Sequence, residues 1–151
     1  MKDNIKFIIY IIIIGFIIFF INQYLFQLCV VHGESMHPTL KNGNIIFIKK
    51  FDLKIDYNDI IVIKKDNNTI IKRVVGLPKD TINIDKYLYV NGQKNENLYI
   101  ENSGDIKNEV FLKDKEYFVL GDNINNSIDS RFEEIGIVNE DEIIGKMINN
   151  K

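Results

Sequence analysis

The most apolar part of the sequence lies near its N-terminus. Residues 7–33 contain no Asp, Glu, Lys or Arg, and Phe7–Ile21 is apolar apart from the Tyr10 hydroxyl. A helix needs about 20 residues to cross the hydrocarbon core of a bilayer. The uncharged residues that follow, with Tyr24 suited to the far membrane interface, extend the run far enough. Residues 7–28 are therefore predicted to form a transmembrane helix.

Charges next to this segment predict its orientation. Lys2, Lys6 and the terminal amine precede it, against a single acid, Asp3. By the positive-inside rule, residues 1–6 are cytoplasmic and residues 29–151 form an exported domain of a single-pass protein in the cell membrane.

Two other interpretations of the segment are weaker. A cleaved signal peptide would need a small-x-small site before residue 33, which is missing. A lipid-attachment box ending at Cys29 would need a small residue where Leu28 stands. An uncleaved anchor is the simplest interpretation, and Cys29 is then a buried or interfacial thiol without a function.

The exported part shows short β-branched and aromatic runs separated by turn residues. The turn residues at 65–68 predict one hairpin, and Asn91-Gly92 is a strong signal for another. No long segment with a 3.6-residue period occurs outside the anchor, and the polar stretch from Asn95 to Lys115 is expected to be a loop or an insertion. The predicted fold is mostly β, with coiled antiparallel sheets or a small barrel-like domain behind one N-terminal transmembrane helix. The predicted strands are Asn44–Lys49, Asp59–Lys64, Thr69–Val75, Tyr87–Val90 and Tyr117–Leu120.

Composition excludes several classes of function. The chain has 151 residues and a formal net charge of −2, which does not fit a general nucleic-acid binder. One cysteine excludes an internal disulfide framework, and two histidines leave little room for a metal site. We therefore expect no cofactor, no metal and no nucleic-acid partner.

Ser35 is a candidate nucleophile just beyond the uncharged stretch. A serine hydroxyl attacks a carbonyl only when a base takes its proton and donors hold the oxyanion. His32 and His37 are near in sequence, but His37 on the same strand face would point parallel to the hydroxyl, and neither has an obvious orienting carboxylate.

Lys72 is the other candidate base. It lies within an apolar run, beside Arg73, and on a strand these two side chains face opposite sides. Burial lowers the pKa of a lysine, so a neutral amine becomes available as a base, whereas arginine stays charged. The alternative is an edge-strand lysine that discourages aggregation. A third cluster, from Gly121 to Arg131, has by itself the pattern of a polar loop.

Taken together, these clusters resemble the bacterial type I signal peptidases. An anchor is followed by Ser-Met-x-Pro-Thr-Leu from Ser35, by Lys-Arg-Val-Val-Gly-Leu-Pro-x-Asp from Lys72, and by Gly-Asp-Asn-x-x-x-Ser-x-Asp-Ser-Arg from Gly121. Residues 58–62 and 136–146 also resemble strands of this family. The resemblance spans nearly the whole chain, and the absence of a large insertion is similar to compact Gram-positive-type members.

The resemblance implies a membrane-anchored serine endopeptidase that removes N-terminal signal peptides from exported preproteins, at the bilayer and near the export machinery. It implies Ser35 as nucleophile and Lys72 as general base, with the Ser35 amide as oxyanion donor. A specialised or inactive relative, which processes one partner or binds exported proteins without cutting, is the alternative. By the same resemblance, the supporting residues are Ser127, which orients the lysine amine, Asp129 and Arg131, which hold the site together, and Val31 and Ile71, which line the pockets for small substrate side chains.

Several positions depart from the family pattern. Gly33 stands where some members have a serine that supplies a second oxyanion donor. The other departures are Lys79 in place of Gly, Ile124 in place of Arg and Asn139 in place of Pro. We also expect Met36, Pro38 and Leu40 to form an apolar surface that dips into the membrane interface.

Overall fold

The computed structural model describes residues 2–106 and 109–148 of the chain. It begins with a helix over Lys2–Phe20, which continues into a π-helical turn over Ile21–Leu25. Within the described residues, one helix, Asn4–Leu25, is long and apolar enough to cross a membrane, and its residues 4–21 are all exposed. The fold class predicted from the sequence, an apolar N-terminal helix followed by antiparallel sheets, is confirmed.

Eleven strands follow the helix in the described part of the chain. In chain order they are β1 Phe26–Val30, β2 Ile45–Lys49, β3 Ile60–Lys65, β4 Asn68–Gly76, β5 Thr81–Ile84, β6 Tyr87–Val90, β7 Gln93–Tyr99, β8 Val110–Phe111, β9 Glu116–Leu120, β10 Val138–Asn139 and β11 Ile143–Met147.

These strands form two antiparallel sheets. The larger sheet has the order β1-β2-β11-β3-β4-β9-β10, and the smaller has the order β7-β6-β5-β8. The predicted hairpins are present, since β3 and β4 pair through the turn at Asp66-Asn67 and β6 and β7 pair through Asn91-Gly92.

The anchor helix ends earlier than the sequence predicted. The prediction extended it to Leu28, but Phe26–Val30 is a strand that pairs with β2 along its whole length. The Phe26 ring stacks on Phe47 with centroids 5.3 Å apart and meets Phe51 edge-on. A short apolar run does not itself distinguish helix from strand, and sheet pairing decides here.

The expectation of a loop over Asn95–Lys115 is wrong for part of that stretch. β7 continues the Asn91-Gly92 hairpin with polar, exposed side chains, and Val110–Phe111 pairs with β5. β7 forms an edge of the smaller sheet, so its hydrogen bonds to β6, rather than an apolar face, define it as a strand.

The core is organised around β3, whose residues Ile60 to Ile63 are all buried. Ile61 and Ile63 pack into one apolar cluster, while Ile60 and Val62 pack into a second on the other face. This explains the continuous apolar run, because a strand covered on both sides needs no polar alternation. A third cluster lies between β4, β9 and the smaller sheet. β4, next to β3, is therefore an interior strand of a packed sheet.

Candidate active site

The Ser35 side chain is held by the loop between β1 and β2. The His37 N–H donates to the Glu34 carbonyl at 3.1 Å and closes a turn that contains Ser35. Met36 and Leu40 fix this loop, because both side chains are buried in the second core cluster. The expectation that Met36 and Leu40 form a surface for the membrane interface is therefore wrong, although Pro38 is exposed.

The Lys72 amine lies 2.9 Å from the Ser35 hydroxyl oxygen. Lys72 is on β4, in the middle of the larger sheet, and only 4% of the residue is exposed. The alternative of an edge-strand lysine is therefore excluded. His32 and His37 are exposed, so among the described residues the amine, and not an imidazole, lies against this serine.

The surroundings of Lys72 favour its neutral form. Burial lowers the pKa of the amine below its usual value of 10.5, because the charged form loses its hydration. The Asp129 carboxylate acts in the opposite direction, and the Arg131 guanidinium lowers the pKa further. Burial is the largest of these effects. A lysine of this kind can accept a proton at a pH where an exposed lysine cannot.

Asp129 and Arg131 form a buried ion pair that acts electrostatically on Lys72. Arg131 Nε donates to Asp129 Oδ1 at 2.8 Å, and the two side chains are 1% and 0% exposed. The guanidinium also donates to three backbone carbonyls, and the Gly121 N–H donates to Asp129 Oδ2 at 3.0 Å. An ion pair whose remaining donors and acceptors are satisfied in this way fixes the segments that it joins. The three carbonyls belong to Asn102, Ile124 and Ser127.

Ser127 is close to this site, but its hydroxyl is unpaired. Its Oγ is buried and makes no hydrogen bond within residues 2–106 and 109–148. The hydrogen bond to Lys72 that the family resemblance implies is therefore not formed in this arrangement. The Ser127 side chain lies against Gly121, where an added Cβ would be 2.5 Å from Ser127 Cβ and 2.6 Å from the Ser35 carbonyl oxygen.

A cavity of about 190 Å³ opens beside the Ser35 and Lys72 side chains. Val31 and Ile71 line it together with Ser35 and Lys72, so these four predicted site residues lie around one cavity. A larger cavity of about 570 Å³ near Phe132 contains neither Ser35 nor Lys72, and we therefore take the smaller one as the candidate binding site.

Three residues that belong to the sequence motifs, but for which no individual role was predicted, also build the site. Arg73 donates twice to the Asp122 carboxylate, at 2.7 and 2.6 Å, and ties the loop after β9 to β4. The neighbouring Asn123 donates from its backbone N–H to the Ser35 carbonyl at 2.9 Å. Their signal was present in the sequence, since Arg73 follows Lys72 directly and Asp122-Asn123 opens the third cluster, but only the fold brings these clusters together.

Comparisons with known proteins identify the family. Residues 3–149 match the family described as signal peptidase, peptidase S26. The chain belongs to this family. Signal peptidase I P of Bacillus subtilis subsp. natto is 38% identical over 149 residues, which cover 85% of this chain and 78% of the relative.

Other signal peptidases are similar over comparable lengths. Signal peptidase I S of Bacillus subtilis is 35% identical over 83% of this chain and 76% of its own length. Signal peptidase IB of Staphylococcus aureus is 31% identical over 97% of this chain and 88% of its own length. A solved signal peptidase I from Enterococcus faecalis superposes with a TM-score of 0.48 at 26% identity, covering 64% of this chain and 98% of that one. The sequence matches establish a serine peptidase of the signal peptidase I type.

Three of the four departures from the signal peptidase pattern have local structural explanations, and nothing in the structure explains Lys79. Gly33 has φ +87° and Lys79 has φ +75°, in the region that favours glycine. A serine at 33 would therefore be strained, and Lys79 carries a cost of about 1 kcal/mol that glycine would not. The Asn139 N–H donates to Glu142 Oε2 at 2.7 Å, a bond that proline cannot make. Ile124 packs against the third core cluster.

Proposed function

We propose that this protein is a membrane-anchored endopeptidase that removes N-terminal signal peptides from exported preproteins with a Ser35–Lys72 dyad. The observation that carries the proposal is the 2.9 Å separation between the Ser35 hydroxyl and the buried amine of Lys72. Neutral Lys72 accepts the hydroxyl proton while Ser35 Oγ attacks the carbonyl carbon before the cleaved bond. The C–N bond then breaks, and the lysine ammonium returns its proton to the departing amine.

Water completes the reaction in the same site. Lys72 takes a proton from a water molecule, whose oxygen attacks the acyl-enzyme carbonyl, and Ser35 leaves with its hydroxyl restored. The product is a free carboxylate at the end of the signal peptide. The oxyanion of both steps needs hydrogen-bond donors. We propose the Ser35 N–H as one of them, because no group in the described part of the chain accepts a hydrogen bond from it.

The size of the cavity supports small side chains as the preferred substrate residues. Binding sites for drug-sized ligands span about 300–1,000 Å³. The cavity beside Ser35 is about 190 Å³, and Val31 and Ile71 line it. A small side chain before the cleaved bond fits this volume. We propose Val31 and Ile71 as the residues that select it.

The other site residues act on the geometry of the dyad. We propose that Asp129 and Arg131 hold the loop after β9 against the dyad through their buried ion pair. The free Ser127 hydroxyl supplies an acceptor for the Lys72 ammonium once that charge forms, since an unpaired buried hydroxyl gains about 1–3 kcal/mol from a hydrogen bond to a charged group.

Cleavage of a preprotein by the detergent-solubilised full chain tests this function. We expect mass spectrometry to find the mature protein and the signal peptide, separated after a small residue, and we expect no products with Ser35→Ala. Binding of the preprotein without cleavage would identify a non-cutting relative. Cleavage of one preprotein out of a varied panel would identify a specialised one.

An apolar sheet face supports the location of the site at the bilayer. Leu28, Val30, Ile45 and Phe47 are each at least 44% exposed, and pairing puts Leu28 opposite Phe47 and Val30 opposite Ile45. We name these four residues the β1–β2 face. Its strand β1 follows the apolar helix directly in sequence. A contiguous exposed apolar surface of this kind is typical of membrane contact. We propose that the N-terminus is cytoplasmic and that this face rests on the exported side of the bilayer.

The double variant Leu28→Ser, Phe47→Ser should separate membrane contact from catalysis. In proteoliposomes we expect cleavage of an embedded preprotein to fall by at least about 10-fold, because two large apolar side chains each contribute up to about 1.5–3 kcal/mol when removed from water. Cleavage of a short soluble peptide in detergent should stay within twofold. Phe111→Ser, which alters a 61% exposed residue of the smaller sheet, is the matched control. Equal losses for both substrates would contradict membrane contact by this face.

A further inference from the structure

We propose that Asn123 is a positioning residue for the oxyanion hole, an inference that rests on the proposed Ser35 chemistry. Its side-chain Nδ2 donates to the Glu34 carbonyl at 3.1 Å, and its backbone N–H donates to the Ser35 carbonyl at 2.9 Å. One residue thus holds the two peptide units on either side of the Ser35 Cα.

The first of these bonds acts directly on the proposed oxyanion donor. The Glu34 carbonyl and the Ser35 N–H belong to the same peptide unit, which is planar. This unit is trans, because His37-Pro38 is the cis bond found in the described residues. In a trans unit the carbonyl and the N–H point in opposite directions. A side chain that fixes the direction of the Glu34 carbonyl therefore fixes the direction of the Ser35 N–H.

The same carbonyl accepts a second hydrogen bond, from the His37 N–H at 3.1 Å. Its two lone pairs are then both used. Hydrogen bonds to a carbonyl polarise the peptide and strengthen the N–H at its other end as a donor. The Asn123 amide thereby aims and strengthens the Ser35 N–H, although it does not touch the substrate.

Asn123 can hold this position because its neighbours are anchored. Asp122 is bound twice by Arg73, whose Nη1 also donates to the Asn58 carbonyl at 2.7 Å. Gly121, the residue before Asp122, donates its N–H to Asp129. The loop that presents Asn123 is thus tied both to β4, which carries Lys72, and to the buried ion pair, so the amide stays in register with the dyad.

The effect of Asn123 belongs to the transition state. The oxyanion exists only after Ser35 attacks, so a weaker donor slows kcat and leaves substrate binding unchanged. Loss of a direct oxyanion donor costs about 10²–10³ in kcat. For a residue that acts through the donor, we expect Asn123→Ala to lower kcat about 10-fold, with KM within twofold.

Steady-state kinetics of full-length variants test this inference against a purely structural role. Asn123→Ala and the isosteric Asn123→Asp, which lacks the N–H donors, should both lower kcat per titrated active site. For Asn123→Ala the pH at half-maximal kcat/KM should not move, because this substitution changes no charge near Lys72. Asn125→Ala, an exposed asparagine of the same turn, is the matched control and should match wild type.

The possible outcomes separate this inference from the proposed function. If wild type cleaves, Ser35→Ala does not, and Asn123→Ala is as fast as Asn125→Ala, the positioning role is overturned while the dyad stands. The positioning role is also overturned if the lower activity of Asn123→Ala is explained by a smaller number of titrated active sites or by a higher KM alone. A wild-type protein that cleaves nothing overturns both.

Discussion

Replacing Lys72 by Met should lower kcat/KM for preprotein cleavage by about 10⁴-fold, to the level of Ser35→Ala. The amine is 2.9 Å from the Ser35 hydroxyl and is the proposed acceptor of its proton. The double variant Ser35→Ala, Lys72→Met should be no slower than either single variant, because the hydroxyl and the amine act as a unit. Lys72→Arg should be equally inactive, since a guanidinium stays charged. Cleavage rates measured by mass spectrometry check all four proteins.

Two further measurements sharpen this prediction. Lys64→Met, at an exposed lysine of the adjacent strand, is the control and should leave kcat/KM unchanged. The wild-type kcat/KM should rise with pH to a plateau. The midpoint of this rise reports the pKa of Lys72, which burial lowers from its usual 10.5. A flat profile between about pH 6 and 9 would contradict a base that titrates inside this interval.

The lowered pKa also predicts how stability depends on pH. Between the folded-state pKa of Lys72 and its unfolded value of 10.5, the unfolded chain holds the extra proton. The contribution of Lys72 to the free energy of unfolding therefore rises with pH through this window, and below it the charged amine is buried at a cost. We expect Lys72→Met to be at least as stable as wild type at neutral pH, while it is inactive.

The second large effect is expected for Gly121→Ala. An alanine Cβ would overlap the Ser127 hydroxyl and approach the Ser35 carbonyl oxygen to 2.6 Å, a distance that real Cβ atoms do not show. The Ser35 segment must therefore move, and a displacement of about 1 Å can cost about 10²-fold in rate. We expect kcat to fall by about this factor, with a loss of about 1–3 kcal/mol in the free energy of unfolding.

Gly145→Ala is the matched control for this variant. Its Cβ would come within 2.7 Å of the Lys49 carbonyl, a comparable overlap, but Gly145 is on β11, and the nearest atoms to its Cβ belong to Lys49 and Ile48 rather than to Ser35 or Ser127. It should lose stability and keep its kcat per titrated site. If both variants lose stability alike and keep their kcat, the close packing of Gly121 does not position Ser35.

The sequence predicted the strands of the larger sheet well, because their residues are governed by local rules. The apolar run at Ile60–Ile63 and the turn at Asp66-Asn67 determine β3, β4 and their pairing. β1 was taken as the end of the anchor helix, since its strand character comes from β2, which is distant in sequence. β7 was taken as a loop for a similar reason, because its polar residues become a strand only by pairing with β6.

The candidate site was predictable in its members but not in its geometry. The family resemblance pointed to Ser35 and Lys72, which are 37 residues apart, and their separation of 2.9 Å is a property of the fold. The roles of Arg73 and Asn123 were not predicted, because each depends on groups that are distant in sequence, the Asp122 carboxylate for Arg73 and the Glu34 and Ser35 carbonyls for Asn123. Met36 and Leu40 were predicted to contact the membrane interface, because they are apolar and follow the membrane segment. Both are instead buried in the core of the β domain.

The Arg131 guanidinium has a consequence for how relatives of this protein can vary. It joins carbonyls of Asn102, Ile124 and Ser127 to Asp129, so segments from distant parts of the chain end at one planar group. We therefore expect a change of loop length near Asn102 to leave the loop after β9 in place, as long as the Asn102 carbonyl still reaches the guanidinium.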